Sequence, residues 1–148
     1  MVPMSATIEE NDMSIIVTDT GFRTANWPTD IVPFEATTKE DASVEITTEF
    51  DAGELATLAG AKPEFIQINI PSAADGRGFT LARRLRLLGF EGRLRASGHV
   101  LSDQYAMARR SGFDEVEISD EIAERQPEAE WLFRANWQDL DYGAELRR

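Results

Sequence analysis

An alternation of strand and helix patterns begins near Val44 and constrains the fold of this chain more than any other feature. The segment "SVEITTEF" alternates apolar and polar residues with a period of two, which is typical of a strand with one buried face. "EFIQINIP" and "RLRAS" are further strand patterns, and "FDEVEIS" carries the apolar positions of another strand. Short helical patterns follow these strands, in "AGELATLAG", "FTLARRLRLLG", "DQYAMARRSG" and "DEIAERQ".

This alternation, with its short connections, predicts parallel strands joined by right-handed crossovers, and hence an α/β fold. We expect a single α/β domain over residues 13–126, with short crossover helices and extra N-terminal strands that begin at Ile15. Its mainly parallel sheet is either open or half-barrel-like. Residues 1–12 are predicted to form a flexible leader. Residues 127–148 form an aromatic, acidic tail, which either packs back on its own domain or docks on a partner.

Several residues have the chemistry of helix ends. Asp51 and Ser102 are predicted to be N-caps, because their side chains can accept a hydrogen bond from the first turn of a helix. Gly89 and Gly112 are predicted to end two helices, since glycine readily adopts the left-handed conformation found there.

The composition excludes several kinds of site. The chain has no cysteine and one histidine, which excludes disulfides, thiol catalysis, cysteine-ligated iron–sulfur clusters and multi-histidine metal sites. No metal ligand is assigned, although carboxylates alone leave a Mg²⁺ site open, and no cofactor is identified. No apolar run approaches the ~20 residues that span a bilayer, and the N-terminus lacks a signal-peptide pattern. We therefore predict a cytoplasmic protein that does not act at a membrane.

The net charge of −12 is distributed unevenly along the chain. Overall acidity argues against nucleic-acid binding, because a phosphate backbone would be repelled. Residues 76–113 nevertheless hold eight arginines against two acids. Such a basic segment predicts either a small anionic ligand or a partner of mixed charge. Arg83, Arg84 and Arg86 lie largely off the apolar helix stripe, so we expect them on a solvated helix face.

The segment "DGRG", which is Asp75, Gly76, Arg77 and Gly78, follows a predicted strand. Ligands of parallel α/β sheets bind beyond the carboxyl ends of the strands. The glycines allow close backbone approach and a positive φ, so that successive N–H groups can point into one concavity, and Arg77 can offer two donors to an oxyanion. Asp75 either orients Arg77 or caps the following helix. The alternative is a tight turn with a solvated arginine, since the segment is neither a dinucleotide fingerprint nor a P-loop.

The next strand leads to a second group of candidate ligand-binding residues. If the two strands are neighbours, Gly98, His99, Asp103 and Gln104 lie across from the loop. Arg95 is inside the strand, where a lone charge is costly, so it either pairs with an acid or reaches a ligand. His99 is either a hydrogen-bonded residue of the rim or a proton donor and anion contact.

Three segments together resemble a known bacterial family. "DGRGFT", "LRASGHVLSDQ" and "RSGFD" are similar to the motifs of the domain of unknown function 934 family, and the likeness extends over about residues 13–120. Members of that family are commonly encoded beside assimilatory sulfite reductase and are often loosely named oxidoreductases. The resemblance implies a role in sulfur assimilation, with sulfite reductase or its electron donor as the partner.

Two functions are expected. The first is an accessory protein of sulfite reduction that has no redox group of its own, which leaves open whether it is an enzyme. The second is a small-ligand enzyme or sensor that holds sulfite, sulfate, phosphate or a nucleotide. In that second function the ligand contacts are Asp75, Arg77, Arg95, Asp103 and Gln104.

Overall fold

The computed structural model describes residues 14–24, 28, 30–34, 42–72 and 75–135 of the 148 residues. The predicted leader and the end of the predicted tail lie outside the described residues. The strands are β1 (Ser14–Thr18), β2 (Gly21–Thr24), β3 (Val32–Pro33), β4 (Ser43–Thr47), β5 (Phe65–Ile70), β6 (Arg93–Gly98) and β7 (Glu115–Ser119). The α-helices are α1 (Leu55–Gly60), α2 (Arg77–Leu87), α3 (Tyr105–Ser111), α4 (Asp120–Arg125) and α5 (Glu128–Phe133). Single turns of 3-10 helix, Ala52–Glu54 and Ser102–Gln104, lead into α1 and α3.

The strands form one sheet of seven, in the order β2-β1-β7-β6-β5-β4-β3. Strands β3 to β7 are parallel and lie side by side in chain order. Strand β1 runs antiparallel to both β7 and β2, so the N-terminal strands extend the sheet at the β7 side. The sheet is not closed. The predicted single α/β domain with a mainly parallel sheet is therefore confirmed.

The helices lie on one face of the sheet. Parallel strands that follow one another in chain order, joined by right-handed crossovers, place every crossover helix on the same side. The apolar residues of alternate strand positions meet those helices in one core, which contains Val44, Ile46, Ile66, Ile68, Leu94, Ala96, Val116, Leu58, Leu81, Leu85 and Ala108. Strand β5 is buried along most of its length because it lies near the middle of the sheet.

The other face of the sheet carries a row of polar residues. The strand register places Glu45, Gln67, Arg95 and Glu115 beside one another on β4, β5, β6 and β7. Gln67 Nε2 donates to Glu45 Oε2 at 2.9 Å, and Arg95 Nε donates to Glu115 Oε2 at 2.8 Å. Gln67, Arg95 and Glu115 are buried, so these bonds offset the cost of removing their polar groups from water.

The helix ends agree with most of the cap predictions. The Asp51 side chain accepts a hydrogen bond from the N–H of Gly53, and Gly89 and Gly112 adopt positive φ angles of 98° and 117°. The prediction for Ser102 is wrong. Its own N–H donates to Gln126 Oε1 at 2.7 Å, so a side chain from a later part of the chain binds this turn.

The first part of the predicted tail forms α5. Trp131 is buried, its Nε1 donates to the carbonyl of Gln126 at 2.9 Å, and its ring meets Tyr105 edge to face at 6.1 Å between centroids. The neighbouring Phe133 is exposed. Trp137 and the rest of the tail lie outside the described residues.

The described helices are all short. The longest, α2, has 11 residues. In the part of the chain that the structure describes, no helix has the length and apolar character needed to cross a bilayer.

Candidate functional site

Asp75 and Arg77 are bonded to each other at the start of α2. The Asp75 carboxylate accepts hydrogen bonds from the Arg77 main-chain N–H, Nε and NH2 at 2.9–3.1 Å, and from the Thr48 hydroxyl at 3.0 Å. These bonds, chiefly those from the Arg77 side chain, hold the pKa of Asp75 well below its usual range, and Asp75 in turn raises the pKa of Arg77. Asp75 therefore orients Arg77 and accepts the N–H of the first residue of α2, although the N-cap position itself is Gly76.

The two glycines of the loop have roles that differ from the prediction of positive φ. Gly76 has a φ of −82°, and a Cβ placed on it would meet no atom within 4 Å. Gly78 lies within α2, and a Cβ there would come within 2.9 Å of Ile70 Cγ1. Neither glycine adopts a positive φ, but the close approach that glycine allows is present at Gly78, where α2 packs on β5.

A third glycine does require its special backbone. Gly98, at the end of β6, has a φ of 119°, and a Cβ would lie 2.4 Å from the carbonyl oxygen of Ile70. The N–H of His99 donates to that same oxygen at 3.0 Å. Gly98 thus turns the chain at the sheet edge and leaves the His99 side chain exposed at the rim.

Arg95 pairs with an acid, which is the first of its two predicted roles. Its Nε donates to Glu115 at 2.8 Å, and its guanidinium lies 4.8 Å from the centroid of the Phe65 ring. Its side chain is only 4% exposed. Arg95 belongs to the polar row on the sheet and does not line the pocket at the carboxyl ends of β4, β5 and β6.

Asp103 and Gln104 lie in the 3-10 turn that leads into α3. Gln104 Oε1 accepts a hydrogen bond from the N–H of Leu101 at 3.0 Å, so this side chain holds the turn together. Asp103 is exposed. The hydrogen bonds of Asp75 and Arg77 involve neither Asp103 nor Gln104.

A pocket of about 420 Å³ opens at the carboxyl ends of β4, β5 and β6, where ligands of such sheets usually bind. Of the predicted residues, Gly98 and His99 line it, and Asp75 reaches its wall through the hydrogen bond with Thr48. The lining residues are Thr47, Thr48, Glu49, Asn69, Ile70, Pro71, Ser97, Gly98 and His99.

Sequence reasoning missed the central polar residues of this pocket. The register places Thr47, Asn69 and Ser97 beside one another on three neighbouring strands. Each is a polar residue near the end of a strand on the face opposite the helices. The period-two alternation of the strands, combined with the correct register, carries the signal that identifies them.

A family model described as bacterial protein of unknown function (DUF934) matches residues 43–140. The chain belongs to the DUF934 family. Neither a curated protein nor a solved structure matches the chain. The DUF934 region contains the pocket and all nine predicted ligand-binding residues, whereas β1, β2 and β3 precede it.

A second groove of the DUF934 protein, about 630 Å³ in volume, lies at the opposite end of the sheet. Arg86 fills much of its wall, donating to the carbonyls of Phe90, Gly92 and Gly112 and to the Asp114 carboxylate at 2.8–3.0 Å. Arg86 was expected on a solvated face. It instead ties together chain segments that meet where α2 and α3 end.

Most of the arginines in the basic segment have acidic partners. The ion pairs are Arg77–Asp75, Arg86–Asp114, Arg93–Glu115, Arg95–Glu115 and Arg109–Asp19. Most of the positive charge of the basic segment is thus paired with acids that lie outside it in the sequence of this DUF934 protein. Within the described ranges, no three His, Asp or Glu side chains lie close enough together to hold a metal ion.

Proposed function

We propose that this DUF934 protein is an accessory protein of assimilatory sulfite reduction in the bacterial cytoplasm. It acts by contact with sulfite reductase or its electron donor. The support is the resemblance of its motifs to proteins commonly encoded beside sulfite reductase, together with the absence of cysteine from its sequence. A chain without cysteine cannot hold a cysteine-ligated cluster, so its contribution to electron flow would be to organise other proteins.

The outward face of α2 is the observation that carries this proposal. Leu87 and Leu88, at its end, are 80% and 49% exposed. Arg83 and Arg84 lie one turn earlier on the same helix and are exposed as well. In the part of the chain that the structure describes, neither arginine forms an ion pair. We call these four residues the α2 surface.

The α2 surface combines the two properties of a docking site. Exposed leucines provide apolar area that a partner can bury, and the arginines restrict the choice to a partner surface with acidic groups. Because the rest of this chain is strongly acidic, the same arginines also orient the molecule as it approaches.

Titration of the sulfite reductase holoenzyme, together with its electron donor, tests the proposal. We expect binding at low salt that weakens at about 0.5 M salt, and a change in the rate of sulfite reduction. Leu87→Glu and Arg84→Glu should each weaken binding about tenfold or more. Val32→Glu is the matched control, because it places the same charge at an exposed apolar position on β3. The absence of both binding and a rate effect would refute the proposal.

An oxyanion at the Asp75 loop is the second candidate function, that of a small-ligand enzyme or sensor. The Arg77 side chain is 60% exposed while Asp75 fixes its orientation, so its outer N–H groups are available to sulfite, sulfate, phosphate or a nucleotide. A ligand at ~100 times its Kd would stabilise the fold by roughly 2.7 kcal/mol. Thermal unfolding with each anion should show a raised midpoint that Arg77→Ala abolishes and Arg83→Ala preserves. An equal shift in both variants would reject this site.

A further inference from the structure

Two of the three hydroxyl groups that line the pocket at the carboxyl ends of β4, β5 and β6 can only accept hydrogen bonds from a ligand, whereas the third, that of Thr47, accepts from the Glu49 N–H at 3.3 Å and keeps its own proton. The Thr48 hydroxyl donates its proton to Asp75 Oδ2 at 3.0 Å, and the Ser97 hydroxyl donates its proton to Glu117 Oε1 at 2.9 Å. An ionised carboxylate has no proton to give, so the hydroxyl must be the donor in each pair. The Thr48 and Ser97 hydroxyls can therefore offer a ligand in the pocket only an oxygen lone pair, which accepts a hydrogen bond.

The rest of the pocket wall adds a charged hydrogen-bond acceptor and an amide that both accepts and donates. Glu49 contributes an exposed carboxylate, and the Asn69 side chain contributes an amide oxygen as well as an amide N–H₂. Ile70 and Pro71 supply an apolar wall. Neither arginine nor lysine is among the lining residues, and the exposed His99 imidazole is the remaining polar side chain. The lining therefore has a carboxylate but no permanently positive group that would favour an oxyanion.

We propose that this pocket binds a small organic cation, a protonated amine or amidinium with a short apolar body. Its N–H groups would donate to the Ser97 and Thr48 oxygens and to the Glu49 carboxylate, while its carbon chain would pack on Ile70 and Pro71. An oxyanion in the same place would face a carboxylate and oxygen lone pairs. A volume of about 420 Å³ is in the range of pockets that enclose small molecules.

This inference goes beyond the proposed accessory function and does not depend on it. Its contacts are atoms other than the outward face of Arg77, although the two sites are electrostatic neighbours, because Asp75 chiefly and Glu49 as well raise the pKa of Arg77. If substitution of Arg77 abolishes binding of an anion, the anion binds at the Asp75 loop. If substitution of Glu49 weakens binding of an amine, the amine binds in the pocket.

Calorimetric titration of the full-length protein with agmatine and tyramine tests the inference, with sulfite and phosphate as anionic comparisons. We expect at least one amine to bind and Glu49→Gln to weaken its binding about tenfold, because a charged acceptor becomes neutral. Ser97→Ala should weaken it as well. Glu54→Gln is the matched control, since Glu54 is exposed on the adjacent 3-10 turn and does not line the pocket.

The design separates a specific site from general attraction to an acidic protein. Cations held only by the net charge of −12 would respond equally to Glu49→Gln and Glu54→Gln. That result, or the failure of both amines to bind at millimolar concentration, would overturn the proposal. Glu49 is exposed, so Glu49→Gln should leave the unfolding midpoint of the free protein unchanged, which shows that any loss of binding is local.

Discussion

Arg95 on β6 and Glu115 on β7 form an ion pair in the interior of the protein, with Nε and Oε2 2.8 Å apart and side chains 4% and 6% exposed. Arg93 shares the same carboxylate from a more exposed position, at 2.8 Å. A buried pair of this kind adds little net stability as long as it is complete. Removing one partner is costly, because a charge is then left in a site from which water is excluded.

The first prediction follows from this pair. Arg95→Met should lower the free energy of unfolding by about 1–3 kcal/mol, measured by urea denaturation, which is less than for a fully unpaired buried charge because Arg93 still binds Glu115 Oε1. The double variant Arg95→Met, Glu115→Leu should lose less than Arg95→Met alone, since neither buried charge remains. If Arg95→Met lowers the free energy of unfolding no more than an exposed substitution such as Arg83→Met, removal of one partner from the buried pair carries no particular cost.

A second prediction concerns acid stability and Asp75. The bonds from Arg77 and Thr48 lower the pKa of Asp75 in the folded protein below its usual value of 3.8. The stabilisation is therefore fully present above that value and is progressively lost as the pH falls below it, because the unfolded chain takes up the proton first. Asp75→Asn should be less stable than the wild type at neutral pH.

Thermal midpoints of both proteins between pH 7 and pH 2 check this prediction. The gap between wild type and Asp75→Asn should narrow below about pH 4. Asp103→Asn, in an exposed position on another loop, provides the control and should show a small gap at every pH. A constant gap for Asp75→Asn would mean that the carboxylate is not stabilised in its charged form.

A third prediction concerns the alkaline behaviour of Tyr105. Burial, and next the hydrogen bond from its hydroxyl to Asp19, raise the pKa of Tyr105 far above its usual value of 10.0. The folded protein should retain this proton where the unfolded chain loses it. Stability should therefore fall as the pH rises above about 10. In a Tyr142→Phe background, tyrosinate absorbance should appear only together with unfolding, and reversible ionisation of the folded protein near pH 10 would contradict this expectation.

A fourth prediction compares three glycines at one end of the sheet. Gly98→Ala should cost roughly 2 kcal/mol or more, because it combines a positive φ with a clash against the Ile70 carbonyl. Gly78→Ala should cost about 1–3 kcal/mol through its contact with the Ile70 side chain. Gly76→Ala should be nearly neutral, since its φ is negative and its surroundings are open. Urea denaturation gives the order, and a costly Gly76→Ala would point to a constraint at the loop that the contacts do not contain.

Local patterns predicted the elements of the fold, because each depends on a few neighbouring residues. The alternation of Ile66, Ile68 and Ile70 identified β5 and its buried face, and the short connections identified the parallel sheet. The contact between Asp75 and Arg77 was also within reach, since only two positions separate them. These are features in which the sequence neighbours are also the spatial neighbours.

The pocket and the roles of the other arginines depend on register and on distant contacts, which a single sequence does not specify. Arg86 has the spacing of a surface residue on its own helix, but its Nε reaches the carbonyl of Gly112, 26 positions away. Ser97 becomes a hydrogen-bond acceptor for the pocket only because Glu117, on the neighbouring strand, takes its proton. Residue type alone suggested Arg95 and Gln104 as ligand contacts, but Arg95 binds Glu115 and Gln104 binds the main chain of Leu101 within the fold.

The order of the strands has a consequence for how the chain assembles. From β3 to β7, each strand pairs with the next one in the sequence, so this part can grow by closing one short loop after another. The hairpin of β1 and β2 is different, because its partner β7 lies near the far end of the described chain. Tyr105 and Arg109 can form their bonds to Asp19 only after the hairpin has docked, because Asp19 lies in the turn of the hairpin. We therefore expect docking of the hairpin to be the slow, long-range step of folding. A hairpin detached from β7 would leave an open strand edge exposed to other chains.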